Sequence, residues 1–277
     1  NAEIAHDAPV DQTRLSERYS EEALRFIRLS GDGPFFLYLA HNFPHQPLHV
    51  RASRAGLSKG GRYGDVVSEL DEGIGAIVAA LKAQGLYDNT LIVISSDNGP
   101  WFQGDPGGVR GRKGETFEGG MHVPFIAHLP QGECRDCALD GPAMGIDLLP
   151  TILDLLHLPA PADRLLDGRS LLPMLRSGEG SPHEYLGYFS GELYALRDAR
   201  FKYMPRRSLP YPLAGAAITP GRPGGPWLFD LAHDPAESYD VSARYPAQFQ
   251  RLSEEFERRA KALRSAPEGW VATGADR

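Results

Sequence analysis

The sequence is poor in cysteine, in long apolar runs and in clustered positive charge. Its only cysteines, Cys134 and Cys137, form a lone Cys-x-x-Cys beside Pro130, Gly132 and Asp136. With no second pair and no nearby histidine, a tetrahedral zinc site is short of ligands. The pair reads as a surface-loop feature, reduced or locally bridged, and carries no assigned chemistry. No run of about eighteen apolar residues occurs, so the sequence offers no membrane-spanning helix. The net charge is −7 and the basic residues are scattered, which leaves no electrostatic footprint for nucleic acid. A small anionic ligand would need a local pocket of cations. The chain opens at Asn1 with neither an initiator Met nor a signal-peptide pattern, so the start is either processed or that of a fragment.

What is present is ordinary globular composition: 42% hydrophobic and 23% charged residues over a length of 277. That length suits one large domain or a domain with an appendage. Tyr19, Ala23, Phe26 and Ile27 recur at helical spacing between Ser16 and Leu29. After Gly31 and Pro34 comes a continuous apolar run, Phe35 to Ala40, which predicts a strand covered on both faces. Val67, Leu70, Ile74, Ile77, Val78 and Leu81 predict an amphipathic helix over Tyr63 to Gln84, ended by Gly85. Strands are predicted at Thr90–Ser96 and Val123–Leu129, and a helix at Asp147–Leu156. Alternation of this kind predicts an α/β fold with a parallel-type sheet flanked by helices.

Beyond Pro159 the texture changes. Strands of mixed polarity at 185–190, 193–197, 201–205 and 227–231 have short connections, which suggests an antiparallel sheet, and a helix follows from Pro246 to Arg264. Residues 205–226 read as a long irregular loop. The expected organisation is an α/β part over residues 1–160 and a smaller α+β subdomain over 161–277.

Ligands of open α/β sheets bind beyond the carboxyl ends of strands. Two polar loops take that position. One is His41-Asn42-Phe43-Pro44-His45-Gln46-Pro47, and the other starts at Asp97-Asn98-Gly99-Pro100 and runs on through Arg110 to Gly120. Asp97 and Asn98 offer a carboxylate and an amide carbonyl, hard oxygens suited to Ca²⁺ or Mg²⁺. The same tripeptide is also a plain turn signal. Lys113 lies among Gly111, Gly114, Gly119 and Gly120, where its ammonium can neutralise an anion as a point charge, or simply be solvated. His45, between two prolines, is expected in a stiff extended segment, as a proton donor, an anion contact or a plain polar contact. The prolines exclude a helical zinc-type pair with His41.

Order and spacing together resemble the arylsulfatase-type sulfatases of the alkaline phosphatase-like superfamily. The matching stretches begin with Pro34-Phe35-Phe36-Leu37-Tyr38-Leu39-Ala40 followed by Pro44-His45-x-Pro47, and continue with Tyr63-Gly64-Asp65-x-Val67-x-Glu69-Leu70-Asp71. Next come Ser96-Asp97-Asn98-Gly99-Pro100 and Gly111-x-Lys113-Gly114-x-x-x-Glu118-Gly119-Gly120. Downstream, Asp147-Leu148-Leu149-Pro150-Thr151, Asp167-Gly168-x-Ser170-Leu171 and Leu228-Phe229-Asp230-Leu231-x-x-Asp234-Pro235-x-Glu237 extend the match over nearly the whole chain.

The resemblance implies hydrolysis of sulfate esters. Asp97 and Asn98 would be two ligands of an active-site Ca²⁺, with Mg²⁺ the lesser alternative. Lys113 would contact the sulfate, and His45 would bind sulfate or assist the leaving oxygen. Family members use a formylglycine made within Cys-x-Pro-x-Arg, upstream in the fold together with an acidic pair for the metal. Neither Cys134 nor Cys137 begins that motif and no Asp-Asp pair occurs, so the chain is expected to be a C-terminal portion, inactive alone, whose partner is the missing N-terminal half. Other expected partners are a small aryl or carbohydrate sulfate, with no nucleic acid and no membrane span. The resemblance places the protein in the periplasm, outside the cell or in a lysosome. Alternatives are a phosphodiesterase or phosphonate monoester hydrolase of the same superfamily, and a non-catalytic sulfate- or glycan-binding relic.

Overall fold

The computed structural model describes residues 10–31, 33–130, 132, 137–189, 192–205 and 224–265. The chain forms two compact units, residues 1–90 and 91–277.

In the first unit two helices carry the packing, α1 (Leu15–Ser30) and α2 (Gly61–Ala83). Both match the predicted helices to within two residues, because each keeps a clear apolar stripe. α1 buries Ala23 and Ile27, and α2 buries Val66 and Leu81. The two come close where α2 has Gly73, since a Cβ there would lie 2.3 Å from the Ser20 hydroxyl. Arg51 ties them further, donating to Glu17 of α1 at 2.7 Å and also to the buried Glu69 of α2. Phe43, Val50 and Val66 form a small core beneath this bridge.

Residues 35–40 join no β-ladder among the described residues, so the predicted strand is not formed. Their exposure still alternates with period two, as in extended chain, and Phe36 and Tyr38 are 72% and 81% exposed. The apolar run has extended geometry but no paired neighbour. Leu37 and Leu39 on the other face meet Ala23, Phe26 and Leu29 of α1 around an apolar cavity of about 300 Å³.

In the second unit, β1 (Ile92–Ser95) pairs with β2 (Phe125–His128), and the ladder is antiparallel where parallel neighbours were expected. The cause lies in the connection. A parallel crossover needs an intervening element that carries the chain back along the sheet. Here the connecting segment folds on itself and holds only the single-turn α3 (Glu118–Met121). Gly99 N–H donates to the Gly120 carbonyl at 2.9 Å, which returns the chain to its start.

Next come α4 (Leu148–Leu155) and α5 (Leu172–Ser177). Buried Asp147 binds them together by accepting from the N–H groups of Met144 at 2.7 Å and Arg169 at 2.9 Å, with His183 Nε2 at 2.8 Å. Cys137 is disulfide-bonded, and its only candidate partner, Cys134, lies outside the described residues.

The C-terminal sheet is the predicted antiparallel meander of β3 (Leu186–Phe189), β4 (Leu193–Arg197), β5 (Phe201–Met204) and β6 (Trp227–Asp230). Most of the irregular loop expected at 205–226 lies outside the described residues. One face of the sheet packs on α6 (Pro246–Ser265) through Leu196, Phe201, Tyr203, Leu228, Leu252 and Phe256. The opposite face packs on Phe117 through Tyr188, Ala195, Met204 and Phe229. Period-two alternation sends Phe201 and Tyr203 to the helix side and Met204 to the Phe117 side. This second face supports the loop that carries the candidate site.

Candidate active site

The candidate residues divide between the units: His45 in the first, Asp97, Asn98 and Lys113 in the second. His45 sits on an exposed turn and not in the extended segment expected for it. Prolines fix φ but do not by themselves hold the chain extended, and the bonds to Pro44 and Pro47 are both cis. His45 Nδ1 lies 2.6 Å from the Gln46 carbonyl, which orients the ring. His41 is turned elsewhere, edge-on to Tyr19 with ring centres 5.8 Å apart, and burial lowers its imidazole pKa.

Asp97 and Asn98 follow β1 after the single residue Ser96, so the strand end places them. The Asn98 carbonyl accepts from Ser96 Oγ at 3.1 Å, and Ser95 Oγ donates to the Pro124 carbonyl at 3.0 Å. Asp97 is exposed and Asn98 half-buried. Lys113 is brought to the same end because its N–H donates to the Pro100 carbonyl at 3.0 Å. Arg112 beside it donates to the carbonyls of Trp101 at 2.9 Å and Gly104 at 2.8 Å. The main chain of Lys113 is therefore hydrogen-bonded two residues beyond Asn98. Trp101 and Phe102 stack edge to face in this loop, ring centres 4.9 Å apart, with the Arg112 guanidinium over Phe102.

Glycine is needed here for close approach. A Cβ on Gly99 would lie 2.0 Å from the Gly119 carbonyl oxygen, and one on Gly120 2.1 Å from that of Glu115. Main chain meets main chain at both places, so no side chain could move aside. The glycines let the loop close and bring Lys113 back to Pro100.

The donor set is short for a metal. A Ca²⁺ ion takes about six to eight oxygens, and Asp97 and Asn98 supply a carboxylate and an amide. No group of three His, Cys, Asp or Glu side chains suited to a metal occurs among the described residues. The oxygens present are of the right hardness, but by themselves they do not form a complete cation site.

Sequence reasoning missed the support beneath the loop. Glu118 is buried, and three groups converge on its carboxylate: Tyr188 Oη at 2.5 Å, Arg197 Nη1 at 2.9 Å and Lys202 Nζ at 3.1 Å. Lys202, fully buried on β5, also lies 2.9 Å from Glu237 Oε1 and 3.9 Å from the centre of the Tyr188 ring. Burial pushes the Glu118 carboxyl up, but the charges of Lys202 and Arg197 outweigh it, so the group stays below its usual value. Burial wins at Glu237, whose carboxyl is raised despite Lys202. Tyr188 is held well above its usual value by burial and by Glu118. Glu118 and Glu237 both stood in recognisable stretches of sequence. Lys202 gave no signal, since a lysine between apolar strand residues reads as a solvent-facing position.

The Sulfatase family model matches residues 4–158. The chain belongs to the sulfatase family. Mouse steryl-sulfatase is 31% identical over 94% of this chain and 47% of its own length. Pig N-acetylgalactosamine-6-sulfatase is 36% identical over 69% of this chain and 38% of its own. A solved Bacteroides thetaiotaomicron protein, from a locus for metabolism of multiple glycosaminoglycans, superposes with a TM-score of 0.78 at 27% identity, covering 92% of this chain and 56% of that one. The chain thus spans less than half the length of either relative. Its fold is part of the sulfatase α/β fold, of the alkaline phosphatase-like type, with an antiparallel C-terminal sheet. Among the described residues no helix is long and apolar enough to cross a membrane.

Proposed function

We propose that the chain is the C-terminal part of a sulfuric ester hydrolase, and that its loop of residues 97–120 binds the sulfate group. The observation that carries this is the closed glycine loop holding Lys113 against Pro100, beside Asp97 and Asn98, in a chain of the sulfatase family. An ammonium carried on a main chain anchored there neutralises a sulfate monoanion and the charge that builds on its oxygens as the ester bond breaks. His45 binds the sulfate or gives a proton to the departing alcohol, a role typically worth about 10²–10⁴ in rate.

Asp97 and Asn98 are two of the ligands of a calcium ion in the whole protein, and Ca²⁺ would supply further charge neutralisation there. The remaining ligands and a formylglycine nucleophile belong to a segment outside this chain, which contains no Cys-x-Pro-x-Arg. The same segment is the partner of the extended residues 35–40, whose Phe36 and Tyr38 are exposed and pair with no strand among the described residues. The alcohol is an aryl or carbohydrate group, and the compartment is periplasmic, extracellular or lysosomal. Hydrolysis of 4-nitrophenyl sulfate tests the reading. The longer protein releases nitrophenol and the isolated 277-residue chain does not. Turnover by the pure chain, or hydrolysis of phosphonate esters in preference to sulfate esters by the longer protein, would overturn it.

A further inference from the structure

Glu237 touches both limbs of the Lys113 loop. Its carboxylate Oε2 accepts from the Glu118 N–H at 2.6 Å, across 119 residues of sequence. Its carbonyl accepts from Arg110 Nη1 at 2.9 Å, across 127 residues. Arg110 and Glu118 are the two ends of the segment that contains Lys113. The ends are also joined to each other, since Gly119 N–H donates to the Arg110 carbonyl at 2.6 Å and the Arg110 guanidinium lies 4.1 Å above the Phe117 ring.

Two features set this contact apart from incidental packing. Glu237 has φ of 50°, in the left-handed region that non-glycine residues seldom adopt, so the surrounding contacts hold it in an unfavourable conformation. Its second carboxylate oxygen is 2.9 Å from Lys202 Nζ, and both side chains are fully buried. Removing these charges from water opposes folding, and an apolar pair of the same shape is often at least as stable. What the ionic arrangement adds is direction, because it accepts only one position of the loop ends.

We propose that Glu237 is a positioning residue for Lys113: it grips both limbs of the loop and so sets where the ammonium meets the sulfate. The proposal rests on the sulfate-binding reading of Lys113 given above. Glu237 touches no substrate and acts through the loop alone. Substituting it removes the grip on the loop and also unpairs the buried Lys202, so the loss that acts through Lys113 is separated from destabilisation by the coupling between the two positions.

A double-mutant cycle in the longer protein tests this with 4-nitrophenyl sulfate. Glu237→Ala should lower kcat/KM at least tenfold when Lys113 is present, and by less than about twofold in a Lys113→Ala background. Equal factors in the two backgrounds would mean general destabilisation and would overturn the proposal. Should Glu237→Ala fail to fold, Arg110→Met removes the grip on one limb from an exposed side chain, and the same coupling is expected. Amide hydrogen exchange supplies a readout without turnover. Residues 111–117 should exchange at least tenfold faster in Arg110→Met than in wild type while α6 stays unchanged, and unchanged exchange at 111–117 overturns the clamp. If Lys113→Ala alone leaves kcat/KM intact, the sulfate-binding reading fails, and the exchange measurement still decides whether Glu237 holds the loop.

Discussion

Replacing Lys202 by methionine should unfold the second unit far more easily than its surroundings suggest. Methionine nearly matches lysine in volume and suits the apolar neighbours Met204 and Phe229. The cost is therefore almost wholly electrostatic. Lys202 Nζ is fully buried, 3.1 Å from Glu118 Oε1 and 2.9 Å from Glu237 Oε1. Its loss leaves two buried carboxylates with Arg197 as the remaining close cation. Breaking a buried ion pair by removing one partner typically costs about 3–5 kcal/mol. Part of this can be relieved by protonation, and Glu237 is the group to accept the proton, since burial already raises its pKa. A carboxyl raised in the folded state favours folding while protonated, and that contribution is lost as pH rises through its folded pKa. Without Lys202 that pKa rises further, so the variant's deficit should widen with rising pH and narrow in acid. Urea unfolding followed by tryptophan emission measures it, because Trp101 and Trp227, the tryptophans among the described residues, both lie in the second unit. A loss below about 1 kcal/mol at pH 7, the size expected of a surface pair, would refute the reasoning. So would a deficit that does not change with pH.

Two further outcomes concern the site in the longer protein. Asp97→Ala should weaken Ca²⁺ binding at least tenfold by calorimetric titration, whereas equal affinity would leave Asp97 as a turn residue only. His45→Ala should slow substrates with poor leaving groups more than activated aryl sulfates, because a good leaving group needs little protonation. The same loss across leaving groups of graded pKa would assign His45 to sulfate binding instead.

The sequence was most readable where one physical signal governed the outcome. α1, α2 and α6 repeat their apolar residues at helical spacing, and their ends fell within two residues of expectation. The C-terminal strands were found as well, since short polar connections leave an antiparallel meander little choice. The apolar run at 35–40 has the right composition for a strand, but a ladder needs a second strand, and composition says nothing about whether one is near. The antiparallel β1–β2 pair was missed for a related reason. Its direction is set by Gly99, Gly119 and Gly120 folding the connection back, a consequence of close approach that alternating patterns do not encode. Asp97, Asn98 and Lys113 stand as candidates because strand ends and glycine loops are where ligands bind. The support formed by Glu118, Lys202 and Glu237 was not foreseen, because it joins Glu118 to residues more than eighty positions away through charges that a strand pattern assigns to solvent.

Lys113→Ala in the longer protein shows whether Lys113 is the sulfate-binding cation of the loop. Loss of a point charge felt in both ground and transition states should raise KM and lower kcat for 4-nitrophenyl sulfate, reducing kcat/KM at least tenfold, equivalent to about 1.4 kcal/mol. The folding transition should stay unchanged, since the loop holds Lys113 by its main-chain N–H to the Pro100 carbonyl, which the substitution keeps. A variant that folds normally and keeps kcat/KM within a few-fold of wild type would contradict the account.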